Sequence, residues 1–130
     1  MKEDPRVRAF TEGTRNLLQL NEYQKLANRT ANIIYGVDTN KRFANFGMGL
    51  AGEAGEVCDY LKKVVFHGHE YDEQKLCLEL GDALWYIATI ATNAGMKLSD
   101  VAYENVNKLR QRYPMGFSQE KSINRSEYDS

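Results

Sequence analysis

Pro5 and Pro114 are the two prolines of this chain, and the proline-free stretch between them is what most constrains the fold. Proline ends or kinks a helix and interrupts a sheet ladder. Between the two, no long stretch alternates apolar and polar residues as a half-buried strand does. Apolar residues instead recur at three- and four-residue steps in four segments, as in helices that turn one face to a core. The chain is therefore expected to be all-α.

The first helix is expected to begin at Asn21, whose side chain can cap it, with Gln24 three residues later and Leu20 before it as a staple. Tyr23, Leu26, Ala27, Thr30 and Ile34 follow one face. After a loop around Gly36 to Lys41, a second helix is expected from about Arg42 to Phe66. It carries the central core stripe of Phe43, Phe46, Leu50, Ala54, Val57, Leu61 and Val64. His67-Gly68-His69 breaks the pattern. A third helix, from about Asp72 to Ala94, presents Leu76, Leu80, Ala83, Ile87, Ile90 and Ala94, with Gly95 as its stop. Ser99 is placed to cap a fourth helix that ends before Pro114 and faces Ala102, Val106, Leu109 and Tyr113 to the core. Residues 1–19 read as an N-terminal extension, 20–114 as the domain and 115–130 as a polar, extended tail.

A length of 130 residues fits one domain with a modest core. The formal charge of −1 supplies no general basic field for a nucleic-acid polymer. Cys58 and Cys77 fall in helical patterns without metal-type spacing or a disulfide framework, so they read as reduced, buried or half-buried fillers in a cytoplasmic protein. The N-terminus has no signal-type apolar run, and no window approaches the ~18 apolar residues of a membrane span.

The second and third helices share a local pattern: Glu53-Ala-Gly-Glu56 with Tyr60, and Glu79-Leu-Gly-Asp82 with Tyr86. At about 100° per residue, each set forms one ridge beside the apolar stripe. A tight turn near Gly68 makes the helices antiparallel neighbours, and the acid pairs stand at similar sequence distances on either side of it, so all four carboxylates are expected at one level. Such a cluster repels itself unless protons or a cation intervene, and a hard divalent ion bound by oxygen is the natural partner. The alternative is a set of solvated surface acids. A carboxylate-bridged di-iron bundle shares four inward acids but places a histidine three residues after a glutamate on two helices. Glu56 and Asp82 hold those positions here, and His67 and His69 read as turn residues.

The segments GLAGEAGEVCDYLKKVVFHGH, LELGDALWYIA and NVNKLRQRYPMGFS closely resemble the MazG-like nucleotide pyrophosphohydrolases. The resemblance runs over roughly residues 20–125, from NEYQ to SINR, and the family's paired pattern of Glu-x-x-Glu and Glu-x-x-Asp is matched at Glu53, Glu56, Glu79 and Asp82. It implies a four-helix MazG-like bundle protomer assembled as a homodimer or homotetramer. It also implies Mg²⁺, with Mn²⁺ as a substitute, held by the four acids. The implied reaction is hydrolysis of a nucleoside triphosphate between the α and β phosphates to a monophosphate and pyrophosphate. An all-α dUTPase or phosphoribosyl-ATP pyrophosphohydrolase shares the acid cluster, and a nucleotide-binding regulator without turnover is the alternative from another class.

A triphosphate needs cationic partners, and Asn105, Lys108 and Arg112 lie at four- and three-residue steps along one ridge of the fourth helix. Cations in a last helical turn also serve simply to complement the helix dipole. The resemblance assigns phosphate binding to Asn105 and Lys108, and more loosely to Arg112. Lys63 extends the ridge of Glu56 and Tyr60 and is a further phosphate candidate. Tyr86 is a candidate for stacking on sugar or base, against the ordinary reading of a helical aromatic as packing. Trp85 projects differently and is expected to pack against another helix or subunit.

Overall fold

The computed structural model describes residues 18–31 and 38–125. Among these residues there are five helices and no strand: α1 (Leu20–Asn28), α2 (Thr39–Phe66), α3 (Glu73–Asn93), α4 (Leu98–Arg112) and α5 (Gln119–Ile123). The all-α expectation holds. The fifth helix corrects the extended tail: Ser118 accepts the Lys121 N–H at 3.4 Å and starts α5. Ile34 and nearly all of the proposed extension lie outside the described residues.

Local chemistry sets each boundary. Asp38 accepts the Lys41 N–H at 2.9 Å, so α2 begins ahead of Arg42. Gly68, at φ 71°, turns the chain out of α2. The buried Tyr60 then pins the hairpin, because its hydroxyl accepts the Asp72 N–H at 2.7 Å and donates to the Asp72 carbonyl at 2.9 Å. Asp72 in turn caps α3 through the N–H groups of Gln74 and Lys75. Gly95, at φ 72°, stops α3 as the sequence indicates. Gly95 N–H bonds to the Thr92 carbonyl and Met96 N–H to the Ala91 carbonyl, the paired bonds of a Schellman ending.

Two expected caps are corrected. Gln19, not Asn21, precedes α1, and its N–H donates to Glu22 Oε2 at 3.3 Å. Asn21 and Gln24 reach across to the start of α4 instead. Gln24 Oε1 accepts the Leu98 N–H at 2.8 Å and Asn21 Oδ1 accepts the Ser99 N–H at 2.9 Å. Lys97 stands at the N-cap of α4 without a side-chain bond, so the amides of α1 do for α4 what Ser99 was expected to do.

The core is small: Ala27, Ala88 and Leu98 are buried together, with Tyr23 and Trp85 packed against them. Trp85 packs on α1, donating its indole N–H to the Ala27 carbonyl at 3.1 Å and to Thr30 Oγ1 at 2.9 Å. Phe46, Trp85 and Tyr86 form an aromatic group, with Trp85 and Tyr86 edge to face at 4.9 Å. Ala54, Leu61, Leu80, Ile87, Ala94, Val106 and Leu109, all expected in the core, are exposed, as are Cys58 and Cys77. Along α2 and α3 the apolar stripe is therefore left partly open to solvent. No described helix is long and apolar enough to cross a membrane.

Candidate metal centre

The antiparallel packing of α2 on α3 brings their acid ridges together. One carboxylate oxygen each from Glu53, Glu79 and Asp82 lies within 4.8 Å of the other two. Glu53 and Glu79 are half-buried and Asp82 is exposed. Desolvation pushes the Glu53 carboxyl above its ordinary pKa, and the negative fields of Asp82, Glu79 and Glu56 push the same way. Tyr23 of α1 feels the cluster too: burial first, then the charge of Asp82, holds its hydroxyl above the usual range. Three acceptors crowded in a partly desolvated place, with neither nitrogen nor sulfur among them, match the donor set of a hard cation such as Mg²⁺ or Mn²⁺.

Glu56 stands outside that trio. It lines an adjoining cleft of about 210 Å³ together with Asp59, Tyr60, Lys63, His69, Lys75 and Glu79. Lys63 is held in an ion pair with Asp59 at 2.6 Å, and Lys62 also reaches Asp59 at 3.1 Å. The hydrogen bond from Lys63, then that from Lys62, holds the Asp59 carboxyl below its usual range, and Asp59 in turn raises Lys63. His69 belongs to the turn, as expected, yet it shares a cleft with two of the acids because the hairpin folds tightly over its own end. Sequence reasoning missed Lys75. The signal was available, since Lys75 precedes Glu79 by four residues on one helix face.

Tyr86 is half-buried, and its ring lies over Gly49. A Cβ built on Gly49 would overlap that ring, with Tyr86 Cδ1 only 2.8 Å away, so glycine there lets the tyrosine lie against the backbone of α2. Sequence reasoning missed this glycine as well, because its partner is on another helix. Among the described residues, no hydrogen bond or ion pair joins Asn105, Lys108 or Arg112 to the four acids. Asn105 and Lys108 are exposed. Arg112 lies 6.0 Å from the Tyr113 ring, and its Nε and Nη2 are enclosed without a hydrogen-bond partner among the described residues.

A helical hairpin whose facing ridges bring Glu53, Glu79 and Asp82 together belongs with the all-α domains that gather carboxylates between helices. The model of the MazG nucleotide pyrophosphohydrolase domain matches residues 43–117, which include all four acids, and the chain belongs to that family. It is also similar to Gene 37 protein of Mycobacterium phage L5, at 38% identity over 82 residues, covering 60% of this chain and 72% of the relative. No solved structure matches the chain.

Proposed function

We propose that this protein is a Mg²⁺-dependent nucleoside triphosphate pyrophosphohydrolase that cleaves between the α and β phosphates. The observation that carries the reading is the convergence of Glu53, Glu79 and Asp82 within 4.8 Å in a member of this family. With Glu56, one helical turn from Glu53, these residues would hold the metal. A Mg²⁺ ion held there would supply Lewis-acid polarisation of a phosphoryl oxygen and a lowered pKa for a nearby water. Carboxylate oxygens of the cluster not engaged with metal accept hydrogen bonds from the attacking water and orient it toward the α phosphorus. Lys63 balances charge on the phosphate chain, and Tyr86 offers the nucleoside an aromatic wall. Asn105, Lys108 and Arg112 are further phosphate partners, and the enclosed, unpaired nitrogens of Arg112 are donors that an anion can use.

A homo-oligomer accompanies this reading. Phe66 is 79% exposed and Val65 67%, and Leu61, Leu80 and Leu84 are also open on the α2–α3 hairpin, more apolar surface than a small monomer ordinarily shows to water. A second copy of the chain covers it, and a monomer mass by light scattering at micromolar concentration would refute that.

The decisive experiment incubates the protein with canonical and modified nucleoside triphosphates and with phosphoribosyl-ATP, plus Mg²⁺, and identifies both products. Monophosphate and pyrophosphate are expected, with no turnover in chelator. Stepwise orthophosphate release, or full turnover in chelator, would overturn the proposal, and saturable binding without products would mark a regulator.

A further inference from the structure

The buried Tyr60, 7% exposed, has both hydrogen-bonding roles of its hydroxyl filled by one residue. It accepts the Asp72 N–H at 2.7 Å and donates to the Asp72 carbonyl at 2.9 Å. Tyr60 belongs to α2, and Asp72 is the residue that caps α3. Among the described residues, no other hydrogen bond and no ion pair joins the two helices. What remains between them is side-chain packing, and apolar attraction has no direction of its own. The pin also stands in a fixed relation to the acids. Glu53 lies seven residues before Tyr60, and Glu79 lies seven residues after Asp72. Seven residues make nearly two helical turns, about 10.5 Å, and return to almost the same face. In antiparallel helices, equal steps from a shared point arrive at a shared level. Glu53 and Glu79 meet there, with one oxygen from each and one from Asp82 all within 4.8 Å of one another.

We infer that Tyr60 is a positioning residue of the metal centre: its hydroxyl locks the axial register of α2 against α3 and so sets the spacing of Glu53 from Glu79 and Asp82. This role rests on the metal reading of the acids and adds what holds them in place. Helical spacing and the turn bring the acids to about one level, and the pin removes the remaining slide. The slide matters because like charges push the two helices apart at this level. One residue's rise, about 1.5 Å, is well beyond the ~0.5 Å to which a site must be held. Mg²⁺ is the demanding case, needing near-octahedral oxygens at about 2.0–2.1 Å, whereas Ca²⁺ accepts looser shells at about 2.3–2.6 Å. A loosened register should therefore cost Mg²⁺ more than Ca²⁺.

Tyr60→Phe keeps the ring that Lys75 faces at 5.8 Å and removes only the two hydrogen bonds to Asp72. Calorimetric titration of the full chain should show Mg²⁺ weakened about tenfold, the low end of what losing a supporting residue behind a metal costs, and Ca²⁺ within about twofold of wild type. Gln24→Ala, which loses the bonds to Met96 and Leu98 beyond the other end of α3, should keep both affinities and so separates register from general stability. Nitroxide labels on the exposed Cys58 of α2 and Cys77 of α3, diluted with unlabelled chain, read the register without metal. Their distance distribution should shift or broaden in Tyr60→Phe. A second variant leaves the pin in place: an alanine inserted between His69 and Glu70 should keep wild-type label distances and Mg²⁺ affinity, because the pin and not the loop length sets the register. Unchanged label distances or unchanged Mg²⁺ affinity in folded Tyr60→Phe would overturn this role. Equal weakening of Mg²⁺ and Ca²⁺, or displaced labels in the insertion variant, would overturn it as well. Displaced labels in Tyr60→Phe, in a protein whose wild type binds no Mg²⁺, would support the pin while refuting the metal reading.

Discussion

Two polar clusters lie along α3, and they differ in what their polar atoms face. Near its C-terminal end, Gln24 donates to Thr92 Oγ1 at 3.1 Å and to the Met96 carbonyl at 2.8 Å while accepting the Leu98 N–H. Asn21 donates to Ser99 Oγ and accepts the Ser99 N–H, both at 2.9 Å. Donors there meet acceptors, and both amides are satisfied within the protein. Toward the other end, Glu53, Glu79 and Asp82 set acceptor against acceptor. A part-buried network that closes on itself holds helices in place. One that repels itself costs stability, a cost that the proposed metal would offset.

The largest effect that could break this division is catalytic. Glu79→Gln or Asp82→Asn should lower metal-dependent turnover by about two orders of magnitude or more, since each removes a charged oxygen ligand while keeping shape. Both changes relieve repulsion, so the metal-free variants should melt no lower than metal-free wild type, and added Mg²⁺ should raise the melting temperature of wild type more. A destabilised yet fully active Glu79→Gln protein would show that the acids are structural.

Smaller, and opposite in kind, is the effect expected at the clasp. Gln24→Ala leaves the Leu98 N–H and the Met96 carbonyl without their partner, at a cost of about 1–3 kcal/mol. Chemical denaturation should register that loss while Mg²⁺ affinity stays as in wild type. If Gln24→Ala instead abolished turnover with no loss of stability, the clasp would belong to the substrate site and the contrast would collapse.

The sequence made the acid ridges legible because helical spacing and a nearby turn are both local properties, and the placement of Glu53, Glu79 and Asp82 depends on little else. The clasp was hidden for the converse reason: Asn21 and Gln24 look like the start of their own helix, and their partners are 68 to 78 residues away. Gly49 reads as an indifferent helical glycine until Tyr86 lies across it. Five-residue α5 is too short and polar to show periodicity. Leu61 and Leu80 have the spacing of core residues, and the pattern cannot say whether the apolar partner belongs to the same chain.

The smallest expected effect is the one that most sharpens the contrast, because it reads repulsion at the acids directly. Desolvation and the neighbouring carboxylates raise the Glu53 pKa above its ordinary 4.5 in the folded protein. The native state therefore holds that proton more tightly than the unfolded chain does. Ionising Glu53 costs nothing in stability well below pH 4.5, begins to cost as pH rises through that value, and reaches its full cost above the raised native pKa. Asp59 acts in the opposite sense, since its lowered pKa stabilises the protein above its unfolded value and that support is lost as pH falls. Its contribution is common to wild type and to a Glu53 variant and cancels in their difference. Metal-free Glu53→Gln should thus melt slightly above metal-free wild type near pH 7, and the gap should close as pH approaches about 4. Saturating Mg²⁺ should reverse the order, because only wild type keeps the full set of charged ligands. A gap independent of pH would trace to packing, and a variant less stable than wild type at neutral pH without metal would mean that Glu53 is held by favourable contacts after all.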